Sequence, residues 1–182
     1  MDQININNQM QLRRVEMAAG LEKQIMRRAW IEVSRRRPLT AEMLERYEND
    51  LVWDEVSQNH EIEWTVEMAQ RWRYRINWKL FSRSAKGEVV AAEGISALAR
   101  DWDWKGLTAN PNVVMTVELV EQYVTKWDWS AMAWRSWEGL DAREFYAHFI
   151  ERIPVTAFDG SKLQFALRQQ EVERLWQKMN AQ

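Results

Sequence analysis

Trp102-Asp103-Trp104-Lys105-Gly106-Leu107-Thr108 is answered twenty-five residues later by Trp127-Asp128-Trp129-Ser130-Ala131-Met132-Ala133. Two earlier tryptophans, Trp78 and Trp53, carry the series backwards from Trp104 at steps of 26 and 25 residues, so the chain contains an internal repeat. Its period is too short for a β-propeller blade, which repeats at roughly 40 to 45 residues with β alternation and a Gly-His signal.

Aligning the units on these tryptophans assigns each a starting position at Thr40, Thr65, Ala91 and Thr116. Two residues later stands a glutamate every time: Glu42, Glu67, Glu93 and Glu118. Threonine is a good helix N-cap, and a carboxylate in the first turn is favoured by the positive end of the helix dipole. Each start is therefore expected to open a helix. The residue before it is apolar (Leu39, Trp64, Val90, Met115), as is the residue four after it (Leu44, Ala69, Ile95, Val120), which is a hydrophobic-staple arrangement.

With Tyr47, Trp72, Leu98 and Tyr123 at the seventh position and Leu51, Ile76, Trp102 and Trp127 at the eleventh, the apolar residues follow one face of a 3.6-residue period. This predicts a helix of about three turns in each unit. After the tryptophan at position thirteen comes an apolar residue (Val56, Phe81, Leu107, Met132) and then a small one (Ser57, Ser82, Thr108, Ala133). A second helix of one to two turns follows from that pattern. Neither helix can bury its aromatic face alone, so the expectation is an all-α fold, a short α-solenoid of four bihelical units of about 25 residues with N- and C-terminal capping helices. Packing between units also accounts for most of the twelve tryptophans.

The stretches around Trp102-Asp-Trp104, with Asn110-Pro111 closing the unit, and around Trp127-Asp-Trp129 resemble a short Trp-Asp-Trp bihelical repeat of poorly characterised bacterial and giant-virus proteins. The resemblance covers residues 39–137 and weakens in the second unit, where lysine follows Trp78 and no Asn-Pro ending stands. That family has no established activity, so the resemblance carries over no catalytic or binding residue.

Outside the repeat, the pattern predicts one long helix from Met10 to Arg36, with Leu12, Val15, Ala19, Met26, Ala29, Trp30 and Val33 on one stripe. Gly20 is a possible break in it and Pro38 a stop. Residues 1–9, rich in asparagine, are expected to fray. Residues 82–88 are the most loop-like stretch of the repeat and absorb its one extra residue. Asp141 with Glu144 and Ser161 with Gln164 read as capping boxes of two further helices. The chain is read as one domain: a capping helix over 1–38, four repeats over 39–138 with Trp134 and Trp137 near their end, and a helical cap over 139–182. In that cap Asp141 falls 25 residues after Thr116 but Pro154 stands in the tryptophan place, so the repeat columns do not continue.

Composition narrows the chemistry. No cysteine occurs, which excludes disulfides, thiol catalysis and cysteine-based metal sites. The two histidines, His60 and His148, lack ligand-spaced partners, and no phosphate loop, nucleophile elbow or calcium loop is present. No cofactor, metal or catalytic residue is expected, and the chain is read as a non-enzyme. The absence of a long apolar run and of a signal peptide makes a cytoplasmic protein without membrane contact the default.

Charge is the most informative remaining signal. Residues 40–70 hold nine acids against the single base Arg46, whereas residues 71–86 hold six bases and no acid. In the second stretch Arg71, Arg73, Tyr74, Arg75, Lys79 and Arg83 alternate with Trp72 and Trp78. Arg71, Arg75, Lys79 and Arg83, spaced by four, would line one ridge if the two helices of this unit were nearly continuous. Such a ridge can bind an acidic protein, can hold phosphates and stack bases, or can be spent on ion pairs with Glu45, Glu48, Asp50 or Glu55. Arg27 and Arg28 belong to a second basic group near the end of the first helix, where the helix dipole favours cations. The sequence reading is thus a protein-protein interaction module, an adaptor or a virus-encoded inhibitor, binding a partner, acidic in character, through its repeat surface. The alternative is a nucleic-acid-binding protein using the second repeat and the first helix.

Overall fold

The computed structural model describes the backbone of residues 2–137 and 140–181, and the side chains of residues 8–137 and 140–181. The described residues contain helices and turns and no strand. They fall into two compact units divided after Ile62.

The first unit holds α1 (Asp2–Arg36), α2 (Ala41–Arg46) and α3 (Trp53–Ser57). Helix α1 is continuous through Gly20 and begins at Asp2 rather than Met10, so the asparagine-rich start is helical from that point. Met1 lies outside the described residues. The capping role expected of α1 is confined to its end. Residues 8–29 are exposed throughout, and contact with α3 involves the last turns, where Trp30 and Val33 are half-buried and Ser34 is buried. There the Ser34 Oγ accepts the Val52 N–H at 3.0 Å, and the Asn59 side-chain amide donates to the Ser34 and Arg37 carbonyls, both at 2.9 Å. Trp30 meets Tyr47 with ring centroids 5.6 Å apart.

The second unit contains α4 (Val66–Arg71), α5 (Trp78–Ser84), α6 (Ala92–Ala97), α7 (Trp104–Ala109), α8 (Val117–Gln122) and α9 (Trp129–Trp134). It closes with α10 (Ala142–Phe149), α11 (Val155–Phe158) and α12 (Lys162–Asn180). The expected N-caps form across both units: Thr40, Thr65 and Thr116 each accept the N–H of the residue three ahead, and Ala91 occupies the cap position without a side-chain bond. The first helix of each pair is six residues long, not three turns. It ends early because the chain tightens into i to i+3 bonding, as in Arg75 N–H to the Trp72 carbonyl and Lys126 N–H to the Tyr123 carbonyl, both 2.8 Å.

Recurring tryptophans lock that tightening in place. The indole N–H of Trp53, Trp78 and Trp129 donates to the carbonyl five residues earlier, on Glu48, Arg73 and Val124, at 2.9, 2.8 and 3.2 Å. These residues are half-buried, whereas Trp102 and Trp127 fill the core, so the two tryptophan positions have different work. Asn77, Asp103 and Asp128, standing just before three of the tryptophans, cap the second helices through side-chain oxygens.

Successive second helices pack on one another, α5 on α7 and α7 on α9. Small polar residues register these contacts. Ser82 Oγ accepts the Asp103 N–H at 3.0 Å, and Thr108 Oγ1 accepts the Asp128 N–H at 3.1 Å while donating to the Trp104 carbonyl at 2.7 Å. Asn110, fully buried, donates to the Ser82 and Ala85 carbonyls at 2.9 and 2.8 Å. Around them Phe81 stacks on Trp102 and Trp104 meets Trp127 edge-on.

The loop expected over residues 82–88 is largely ordered: α5 runs to Ser84, and Gly87–Val90 forms a 3-10 turn started by Gly87 at φ 72°. That turn presses on α6 at Gly94, where a Cβ would stand 2.3 Å from the Glu88 carbonyl oxygen. Asp141 and Ser161 cap α10 and α12, but the Gln164 side chain bonds the Gly160 N–H rather than closing a box on Ser161. Helix α12 packs on α9 and α10 with Leu163 buried, and leaves Val172, Leu175, Trp176 and Met179 exposed. Glu138 and Gly139, at the junction of the repeats with the C-terminal helices, lie outside the described residues.

Candidate partner-binding surface

The basic and aromatic stretch of the second helix pair is built around the turn that Trp72 and Ile76 anchor by being buried. Helix α4 ends at Arg71 and α5 starts at Trp78, so six residues of turn separate them. The single ridge expected of Arg71, Arg75, Lys79 and Arg83 therefore does not form. Arg71 closes α4, Arg75 belongs to the turn, and Lys79 and Arg83 belong to α5. All four are exposed.

Each side chain has a distinct setting. The Arg71 guanidinium lies 5.0 Å from the centroid of the Trp72 ring. Arg73 bonds Asp101 at 2.6 Å, and this contact with the neighbouring pair's turn raises the guanidinium's affinity for its proton. The same guanidinium is 5.5 Å from the Tyr74 ring centroid, a cation–π distance. Tyr74 itself is 93% exposed, the most exposed large apolar-bodied side chain in the described structure. The Arg83 stem lies against α7, with its Cγ 3.0 Å from where a Cβ on Gly106 would stand.

Aromatic stacking on a ligand falls to Tyr74 alone in this stretch. Trp72 is 3% exposed, and Trp78 is spent on Phe81 and Trp102, each at 5.4 Å, besides its bond to Arg73. Comparison with protein-family models, with curated proteins and with solved structures finds no match.

Arg27 and Arg28 are exposed on α1, in the other compact unit. Of the acids weighed as ion-pair partners, Glu55 bonds Arg35 at 2.9 Å. His60 is exposed beside Arg35, Arg36, Gln58 and Glu61, which line a shallow cleft, and His148 bonds the Glu144 carbonyl of its own helix at 2.8 Å. No group of three His, Asp or Glu residues able to hold a metal ion occurs among the described residues. None of the described helices is long and apolar enough to cross a membrane.

Sequence reasoning missed one charged residue of consequence. Arg135 is 5% exposed; it donates to the Val113 carbonyl at 2.7 Å, while its Nε and Nη1 have no hydrogen-bond partner. Burial pushes its pKa down to about 10. It follows α9 at the position where Asn59 and Asn110 follow α3 and α7, six residues past the tryptophan, and that shared spacing was the available signal.

Proposed function

We propose that the four helix pairs are successive units of a short α-solenoid, and that the protein is a non-enzymatic interaction module whose second unit recognises an acidic segment of another protein. The observation that carries this reading is the turn at residues 72–77. It offers a nearly fully exposed tyrosine between arginines, with Arg73 held by Asp101 so that its guanidinium borders the Tyr74 ring. An exposed aromatic with arginines beside it is the composition of a binding hot spot, in which a ring supplies contact area and guanidinium groups bind carboxylates in bidentate fashion.

A nucleic-acid partner is the second reading, supported by the same cations together with Arg27 and Arg28. It is weaker on this geometry. Phosphate tracking needs a continuous strip of charge, whereas Arg73 is neutralised by Asp101 and the other cations are spread over the end of α4, a turn and α5.

The discriminating experiment titrates labelled Glu/Asp-rich peptides and labelled single- and double-stranded oligonucleotides at about 50 and 200 mM salt. It does so against the wild-type protein, Tyr74→Ala and an Arg71/Arg75/Lys79 triple-alanine variant. Peptide binding lost in both variants supports the module. Oligonucleotide binding that falls steeply with salt and disappears in the triple variant replaces it with the second reading.

A further inference from the structure

The described part of α1 before Trp30 is uncovered, yet it carries an ordered apolar stripe. Leu12, Val15, Ala19, Met26 and Ala29 recur at alternating steps of three and four, interrupted at Glu22, and Leu12, Val15 and Met26 are 63%, 67% and 56% exposed. This is the a/d spacing of a coiled-coil seam. At a rise of 1.5 Å per residue the seam is about 26 Å long, and it stops where α3 begins to cover the helix.

We propose that α1 pairs antiparallel with α1 of a second copy, about a two-fold axis passing between Gly20 and Leu21. The charge pattern selects this arrangement. On one flank of the seam stand Glu16 and Lys23, one heptad apart. In the antiparallel pair each Glu16 faces Lys23 of the second copy, giving two interhelical ion pairs by symmetry. In a parallel pair the residue facing Glu16 would be Gln11, and no ion pair would form. The other flank brings Ala18 against Ile25, which explains why the apolar arc of α1 is wider on that side.

Layer by layer, Leu12 meets Ala29 and Val15 meets Met26, a large residue against a smaller one in the first layer and two middle-sized ones in the second. Around the axis Ala19 meets Glu22, the one polar residue of the seam, and the small alanine leaves the carboxylate a path to water. The pair is isologous and closes on itself. Arg27 and Arg28 stay outside the seam, and the inference does not rest on the partner read for the turn at residues 72–77.

Sedimentation of the full chain, with circular dichroism as the folding control, tests this. Wild type is expected to form a concentration-dependent dimer. Glu16→Lys and Lys23→Glu should each weaken it by about threefold to tenfold, the double exchange should restore it, and Glu22→Leu should tighten it. Because the chain has no cysteine, single substitutions report the orientation: Ala19→Cys near the axis should cross-link to itself, and Leu12→Cys should not. A monomer at about 100 μM, where even a weak pair would be populated, overturns the proposal. So does efficient cross-linking of Leu12→Cys, which faces its own copy only in a parallel pair.

Discussion

At the scale of single residues, Arg135 is the buried charge without full pairing, alongside the unpartnered indole N–H groups of Trp64, Trp127 and Trp137. Two of its three guanidinium nitrogens are buried without acceptors, and a depression to about 10 from the ordinary arginine range corresponds to a penalty of roughly 3 kcal/mol. Its bond to the Val113 carbonyl returns about 1.5 to 3 kcal/mol. Arg135→Met should therefore leave stability within about 1 kcal/mol of wild type near neutral pH. A loss above about 3 kcal/mol in urea unfolding would instead mark the guanidinium as a structural centre. The pH dependence has a definite sign. Because the folded-state pKa is depressed, the unfolded chain binds more protons above pH 10, so wild type gains stability relative to Arg135→Met as pH rises through about 10. Unfolding midpoints of both proteins at about pH 8 and pH 11 check this; parallel curves would contradict the burial assigned to the charge.

At the scale of elements, three of the four helix pairs are closed by two devices that differ in how visible they are in sequence. The N-caps were legible, because threonine and a first-turn glutamate act through local chemistry. The turn between the helices was not, since periodicity continues through it: Leu51, Ile76, Trp102 and Trp127 stay in phase although the helix has already ended. The i to i+3 bonding that ends it is held in three pairs by an indole N–H reaching back five residues, a bond that periodicity does not encode. The last turns of α1 read as part of a cap in the sequence, whereas Ser34 and Arg37 accept in the first unit the bonds that Ser82 and Ala85 accept in the second. The candidate surface was legible in composition but not in shape, because the break between α4 and α5 divides the arginines. Trp129→Ala, which removes both the Val124 bond and the packing on Phe149 at 5.6 Å, should cost about 3 to 5 kcal/mol. Trp129→Phe should recover part of this, and the shortfall in thermal melting, about 1 kcal/mol, measures the turn-closing bond. Equal losses for the two would remove packing from the account.

At the scale of the whole molecule, stability is distributed unevenly. Residues 63–134 contain a run of rings in contact, Trp64 with Phe81, Phe81 with Trp102, and Trp104 with Trp127. Residues 8–29 of α1 are exposed along their whole length. Helices gain most of their stability from packing an apolar face, so this segment should open at little free-energy cost and be cut long before the globular parts. Arg13, Arg14, Lys23, Arg27 and Arg28 offer trypsin several sites in it. Limited trypsin digestion at low protein concentration is thus expected to yield a product starting at Ala29, because Trp30, Val33 and Ser34 are held on α3. That product should melt within a few degrees of the intact chain, since residues 8–28 are exposed. If digestion instead begins in the helix pairs, or the trimmed product loses its cooperative melt, the early part of α1 supports the fold.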